Sequence, residues 1–201
     1  MEREAIILAG GLGTRLSHVV SDVPKPMAPG GGRPFLDYLL DRLAATNFTH
    51  VVLSTGHMHE VIENHYGSRY RTIALSYAHE YQPLGTGGAL LFALQQTTAD
   101  RVLTLNGDTY FDIDYNQLYT IGGTQLSMVL RKVDDTSRYG IVEFDADYRV
   151  TAFREKNPHN HTAGYINGGI YLVDRHLLDN HTVGDRFSFE TDVLQTIYKT
   201  Q

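Results

Sequence analysis

The residues best equipped for chemistry lie in two adjacent runs, Leu8-Ala9-Gly10-Gly11-Leu12-Gly13-Thr14-Arg15-Leu16 and Pro24-Lys25-Pro26-Met27. Glycines directly after an apolar run let backbone N–H groups approach phosphate oxygens, and Arg15 and Lys25 bring fixed positive charge to the same place. A guanidinium binds two oxygens at once and suits the leaving phosphates. An ammonium held between two prolines offers a compact charge near an α-phosphate. Together these runs can grip a nucleoside triphosphate. They are not a Walker loop, which needs Gly-Lys-Ser/Thr at the helix start, and they lack the third glycine of the dinucleotide fingerprint.

Further along, Asn106-Gly107-Asp108 closes an apolar run. Ligands collect at the carboxyl ends of strands in open α/β sheets, and an aspartate there can hold Mg²⁺, which prefers oxygen donors shared with phosphates. On sequence alone such an aspartate is more often a turn former. Glu80 to Gly88 carries Gln82-Pro83-Leu84-Gly85-Thr86-Gly87-Gly88 before a helix. A side-chain amide and glycine amides can read a base edge at close range, which makes Gln82 and the Gly85 backbone the chosen base readers, with Gly11 contributing. Ten histidines include His57-x-His59 and His159-x-His161. On a helix, residues two apart do not share a face, and the second pair sits in a polar loop, so metal binding by histidine is disfavoured. No Gly-x-Ser-x-Gly run or Ser/His/Asp motif suggests a hydrolase.

The elements that must position these residues follow an alternating pattern. Ala5–Ala9 reads as a strand covered on both faces, Phe35–Leu43 as a helix and Val51–Ser54 as a strand, a βαβ unit around the glycine loop. The spacing then predicts a helix at His57–Tyr66, a strand at Ile73–Tyr77, a helix at Ala89–Gln96 and a strand at Arg101–Leu105. Beyond these, Leu126–Arg131, Tyr139–Phe144, Val150–Glu155 and Gly164–Val173 are strand-like with little helix between them. The expected fold is α/β, with a mixed, mainly parallel sheet, helices on both faces and antiparallel strands extending it around an acceptor pocket. Gly30-Gly31-Gly32 reads as a tight loop before Pro34.

The chain has 201 residues, enough for one well-buried core, and 42% of them are hydrophobic. A formal charge of −6 with no clustered basic face argues against general nucleic-acid binding. Without cysteine there is no disulfide framework and no thiolate metal site, a composition that fits a reducing cytoplasm. The first residues lack the length and flanks of a signal peptide, and no stretch approaches a membrane span.

GGLGTRL with PKPM, PLGTGG, NGD and the segments Tyr139-Gly140, Glu155-Lys156 and Asn167-Gly168-Gly169 resemble, in this order, the sugar-nucleotidyltransferase family. The resemblance implies a three-layer, Rossmann-like fold of the glycosyltransferase-A kind. It also implies an enzyme joining a nucleoside triphosphate to a sugar 1-phosphate with release of pyrophosphate. Carried over by motif, Arg15, Lys25 and Asp108 are catalytic, and Asp108 holds Mg²⁺. Leu8, Gly10, Gly11, Gly13, Thr14, Gln82, Gly85 and Thr86 take the nucleotide. On the acceptor side Glu155 meets sugar hydroxyls and Lys156 the sugar phosphate, while Asn106, Gly140 and Asn167 shape the pocket. Within the family, KPMAP, RPFLDYLL, NGDTYFD and FSFE look most like the branch that guanylylates D-glycero-D-manno-heptose 1-phosphate with GTP, giving GDP-heptose for polysaccharide synthesis. Branches using mannose 1-phosphate with GTP, or glucose 1-phosphate with dTTP, stay open, as does a non-catalytic sugar-nucleotide-binding protein. Relatives often self-associate, so a homo-oligomer is an expectation. They also supply a second metal aspartate after the Ser-Phe-Glu region. No such run follows Phe187-Ser188-Phe189-Glu190 here, so the expectation is a single domain lacking its C-terminal segment, the alternatives being a shortened paralogue or Asp185 or Asp192 as substitute ligand.

Overall fold

The computed structural model describes residues 2–11, 23–121, 124–154, 157–159 and 161–199. In chain order the elements are β1 (Glu4–Leu8), β2 (Pro29–Gly30), β3 (Arg33–Pro34), α1 (Phe35–Ala45), β4 (His50–Thr55), α2 (His59–Tyr66) and β5 (Arg69–Tyr70). They continue with β6 (Ile73–His79), α3 (Gly85–Leu94), β7 (Arg101–Asn106), α4 (Tyr115–Thr120), β8 (Leu126–Val133), β9 (Ile141–Phe144), β10 (Val150–Arg154) and β11 (Gly164–Asp174). A π-helical stretch, Phe189–Leu194, then runs into α5 (Gln195–Ile197).

Nine of the described strands form one sheet in the order β10-β9-β11-β7-β1-β4-β6-β5, with β8 also paired to β11. The centre is parallel: β1 pairs with β4 and β7, and β4 with β6. β11 joins β7 antiparallel and extends the sheet through β8 and β9, as the change of pattern after Leu105 implies. Strand side chains alternate between faces, so the apolar runs feed two cores. Ala5, Ile7, Val51, Leu53, Leu103 and Leu105 pack with Leu36, Leu39, Leu40 and Leu43 of α1 and Ile62 of α2. Ile6, Val52 and Val102 on the other face meet Leu90, Leu91 and Leu94 of α3 and Phe189, Val193 and Leu194 of the π-helix. Helices on both faces of one sheet make three layers.

Local chemistry explains the departures from the periodic reading. Within the Gly30–Gly32 run, Gly31 and Gly32 make a two-residue hairpin turn between β2 and β3, at φ +59° and +88°, as its handedness requires. The second helix begins at His59 rather than His57, because Met58 takes a left-handed conformation at the N-cap. α3 begins at Gly85 rather than Ala89. The Phe187 carbonyl accepts the Gly87 N–H at 3.0 Å and the Gly88 N–H at 3.4 Å, satisfying donors that a helix start leaves open. Periodicity also passed over β5, α4 and the helical turn at Lys25–Met27, which are too short to repeat a pattern.

Candidate functional site

The carboxyl ends of the parallel strands open into a cleft of about 820 Å³, lined by Leu8 at the end of β1, Ser54 of β4, His79 of β6 and Asn106 of β7. That volume lies within the range of small-molecule sites. Gly10 and Gly11 line it directly after β1 and play different parts. A Cβ on Gly10 would stand 2.7 Å from Glu80 Oε1 and 3.2 Å from the Gly56 nitrogen, so Gly10 is a glycine for close packing. Around Gly11 a Cβ would meet none of the described residues within 4 Å, and Gly11 is exposed. Gly13, Thr14 and Arg15 lie outside the described residues.

Lys25 sits in a short helical turn anchored by the buried Pro26 and Met27. Its ammonium forms an ion pair with Asp108, 83 residues away in sequence, at the turn after β7. Gly107 is tucked against β1: its N–H donates to the Leu8 carbonyl at 2.9 Å, and a Cβ there would lie 2.7 Å from that oxygen. This contact fixes Asp108 beside the glycine turn. Asp108 lines the cleft, and its side chain is 43% exposed, open enough to accept a further partner.

Asp108 offers oxygen donors where phosphates would lie, which fits Mg²⁺; a magnesium ion commonly takes one or two carboxylates and fills its shell with phosphate oxygens and water. Among the described residues no group of three or more His, Cys, Asp or Glu is arranged to hold a metal. Asp185 and Asp192 stand elsewhere. The Asp185 carboxylate accepts the Thr182 N–H at 3.0 Å, and that of Asp192 the Ser188 N–H at 2.7 Å. Asp192 lines a separate hollow with Leu177 and Ile197.

Gly85 and Thr86 line the cleft, whereas Gln82 is exposed beside the lining residues Tyr81 and Pro83. The glycine amides of this run are not all available to a base. Those of Gly87 and Gly88 are taken by Phe187, and the Thr86 hydroxyl bridges Glu190 Oε2 at 2.5 Å and the Phe189 N–H at 2.9 Å.

The sequence reading passed over several lining residues. Glu80 was only the edge of a segment, yet its Oε2 accepts the Leu84 N–H at 2.9 Å and its Oε1 the Ser54 hydroxyl at 3.5 Å. Burial pushes its carboxyl up, against the lowering by those two hydrogen bonds. His57, Met58, His59, His79 and Tyr81 also line the cleft. The His59 and His79 rings lie 3.6 Å apart, and Tyr81 meets His79 edge-on at 4.6 Å. The available signal was position, since these residues follow or end β4 and β6.

Of the residues expected to meet the acceptor, Asn106 packs against Gly169, which has φ +70° and where an added Cβ would fall 2.8 Å from Asn106 Nδ2. Asn167 instead holds β11 in shape: its Oδ1 accepts the Gly169 N–H at 2.9 Å and its Nδ2 donates to the Tyr171 hydroxyl at 2.6 Å. A Cβ on Gly140 would stand 3.1 Å from the Arg154 carbonyl, so Gly140 lies beside the end of β10. Glu155 and Lys156, the next residues, are outside the described ones. Neither Asn167 nor Gly140 lines the cleft around Gly10 and Asp108.

Known proteins resemble this chain along nearly its whole length. The chain is 43% identical to D-glycero-alpha-D-manno-heptose 1-phosphate guanylyltransferase of Aneurinibacillus thermoaerophilus over 96% of its own length and 84% of the relative's. It is 38% identical to the Campylobacter jejuni protein of that name, over 98% and 86% of the two lengths. The crystal structure of HddC from Yersinia pseudotuberculosis complexed with GMP-PN superposes with a TM-score of 0.84 at 33% identity, covering 96% of this chain and 86% of that one. The model of the nucleotidyl transferase family matches residues 4–200, and the chain belongs to that family.

Proposed function

We propose that this protein transfers a guanylyl group from GTP to a sugar 1-phosphate, D-glycero-D-manno-heptose 1-phosphate, releasing pyrophosphate. The observation that carries the reading is the meeting of Lys25 and Asp108 beside the Gly10–Gly11 turn, with Asp108 lining a nucleotide-sized cleft. The relatives' identity supports the choice of GTP and heptose. A sugar phosphate oxygen must attack the α-phosphorus while pyrophosphate leaves in line. Both reactants are anions, so the protein's task is to offset their repulsion and hold them aligned.

In this reading the Gly11 amide and Lys25 hold phosphate oxygens, and Arg15 meets the leaving pyrophosphate. Glu155, Lys156 and Asn106 orient the acceptor. Asp108 would hold Mg²⁺, which supplies neutralising charge to the triphosphate when bound. Nucleotides and sugar phosphates are charged metabolites kept inside the cell, and we place the reaction in the cytoplasm. Among the described residues no helix is long and apolar enough to cross a membrane.

The test is a matrix of GTP, dTTP, UTP and CTP against heptose, mannose and glucose 1-phosphates with Mg²⁺, monitored by pyrophosphate release. GTP with the heptose phosphate should lead. A clear preference for dTTP or UTP would overturn the guanylyl assignment, and a preference for mannose 1-phosphate the heptose one.

A further inference from the structure

We infer that Arg42, which belongs to α1 and does not line the cleft, is a positioning residue for nucleotidyl transfer: it braces the loop that carries Asp108 against the helix that also seats Lys25. This rests on the reading of the cleft as the site of that reaction.

Asp108 stands near the start of the loop joining β7 to α4. At one end of that loop the Gly107 N–H is tied to the Leu8 carbonyl of β1. At the other end Arg42 donates from Nη1 to the Asp112 carboxylate and from Nη2 to the Ile113 carbonyl, and its guanidinium lies 5.3 Å from the centre of the Tyr115 ring. Between these anchors the Tyr110 ring meets Tyr38 edge-on at 6.5 Å. Tyr38 and Arg42 stand one helical turn apart on α1 and so share a face. Tyr38 also reaches the other arm: its hydroxyl donates to the Gly30 carbonyl at 2.9 Å, in the hairpin that follows the Lys25 turn. The Phe35 N–H donates to the Ala28 carbonyl at 3.0 Å, and Met27 is buried with Leu36, Leu39 and Leu40. Both partners of the Lys25–Asp108 pair are therefore referred to one helix.

The Arg42–Asp112 ion pair itself adds little to folding, because Asp112 is 81% exposed. Its effect is geometric. Two donors of one planar guanidinium fix a side chain and the next main-chain carbonyl together, which sets the course of the backbone. An ammonium, a point charge on a flexible stem, does not hold both in that geometry. In-line transfer depends on such alignment, and a displacement of about 1 Å can cost about 100-fold in rate.

The experiment compares the wild-type protein with Arg42→Lys, Asp112→Asn and, as a control, Arg71→Gln, which removes the Arg71–Asp41 pair, another ion pair of α1. Two quantities are read. One is kcat and KM for GTP by pyrophosphate release. The other is the rate at which an amine-acylating reagent labels Lys25 in the ligand-free protein, by peptide mass spectrometry with Lys132 as reference. Arg42→Lys should lower kcat about 10- to 100-fold with KM within about threefold of wild type, the mark of lost alignment rather than lost binding. Loosening of the Lys25–Asp108 pair should speed Lys25 labelling by about two- to fivefold, the limit that an exposed ion pair sets. Asp112→Asn, at an exposed site, should move kcat and labelling in the same directions by about two- to fivefold, and it carries the test if Arg42→Lys fails to fold. Arg71→Gln should change neither.

Wild-type kcat in Arg42→Lys, or a fall in kcat with Lys25 labelling unchanged, would overturn the inference, as would an equal fall in Arg71→Gln. These outcomes leave the proposed reaction standing. Absence of pyrophosphate release from the wild-type protein would instead remove the reaction, and this role for Arg42 with it.

Discussion

At the scale of single residues, the ion pair between Lys25 and Asp108 defines the chemistry of the cleft. In the free protein these groups satisfy each other, whereas the proposed reaction needs both directed at ligands. Asp108→Asn should lower turnover by at least about 100-fold, the scale of losing a group aligned with charge in the transition state. Pyrophosphate release measures this, and an unchanged melting temperature would show that the fold is intact. The same substitution frees Lys25 and removes a negative charge from the phosphate site. Calorimetry with a chelator present should therefore show GTP binding about two- to fivefold tighter than in the wild-type protein, since an exposed pair is worth at most about 1 kcal/mol. Weaker binding under those conditions would mean that the pair does not hold the ammonium away from phosphate.

At the scale of elements, the start of α3 and the segment from Asp185 to Glu190 form one unit. Gly85 has φ +73°, and an added Cβ would fall 2.5 Å from the Phe187 carbonyl oxygen. Gly85→Ala combines left-handed backbone strain with a collision against main chain and should cost about 2 kcal/mol or more. A thermal melt should show a fall of about 4–8 °C. Behind this contact Phe189 is fully buried against Tyr171 and α3. Phe189→Ala should cost about 3–5 kcal/mol, as deletion of a core aromatic does, and should loosen the Thr86 wall of the cleft at the same time. Retained GTP affinity in that variant, measured below its melting temperature, would show that the wall does not depend on the π-helix.

For the whole molecule, the two ends of the parallel sheet do different work. The carboxyl ends carry the cleft, while the amino ends carry a closed polar network. Glu4, 5% exposed, accepts the N–H groups of Thr98 and Ala99 and contacts His50 Nδ1 at 2.8 Å, and His50 Nε2 reaches the Ser76 hydroxyl at 2.8 Å. This ties β1, β4 and β6 to the loop before β7. Burial alone would raise the Glu4 carboxyl, but the Ala99 N–H, His50 and the Thr98 N–H together bring it below its ordinary value. A carboxyl lowered by folding stabilises fully above its unfolded value of about 4.3, and that contribution is lost as pH falls through the folded value. Glu4→Gln should therefore lower stability by about 2 kcal/mol near pH 7. The difference from wild type should shrink on acidification below about pH 4, as read from denaturant melts across pH. A difference independent of pH would show that the carboxylate's charge plays no part.

The sequence by itself determined what local chemistry can encode: the alternation of apolar strands and amphipathic helices, the switch to antiparallel strands after Leu105, and the glycine, Lys25 and Asp108 motifs. Each of these is written in neighbouring residues, as apolar periodicity or as a side chain of known charge. Only the tertiary structure decided which distant groups meet. It set Lys25 against Asp108, turned the Gly87 and Gly88 amides toward Phe187, left Gln82 exposed, and placed Glu80 behind Gly10. It also closed the Glu4–His50–Ser76 network from three strands. Strand order and helix seating fix these pairings, and neither leaves a mark on the spacing of residues along one element.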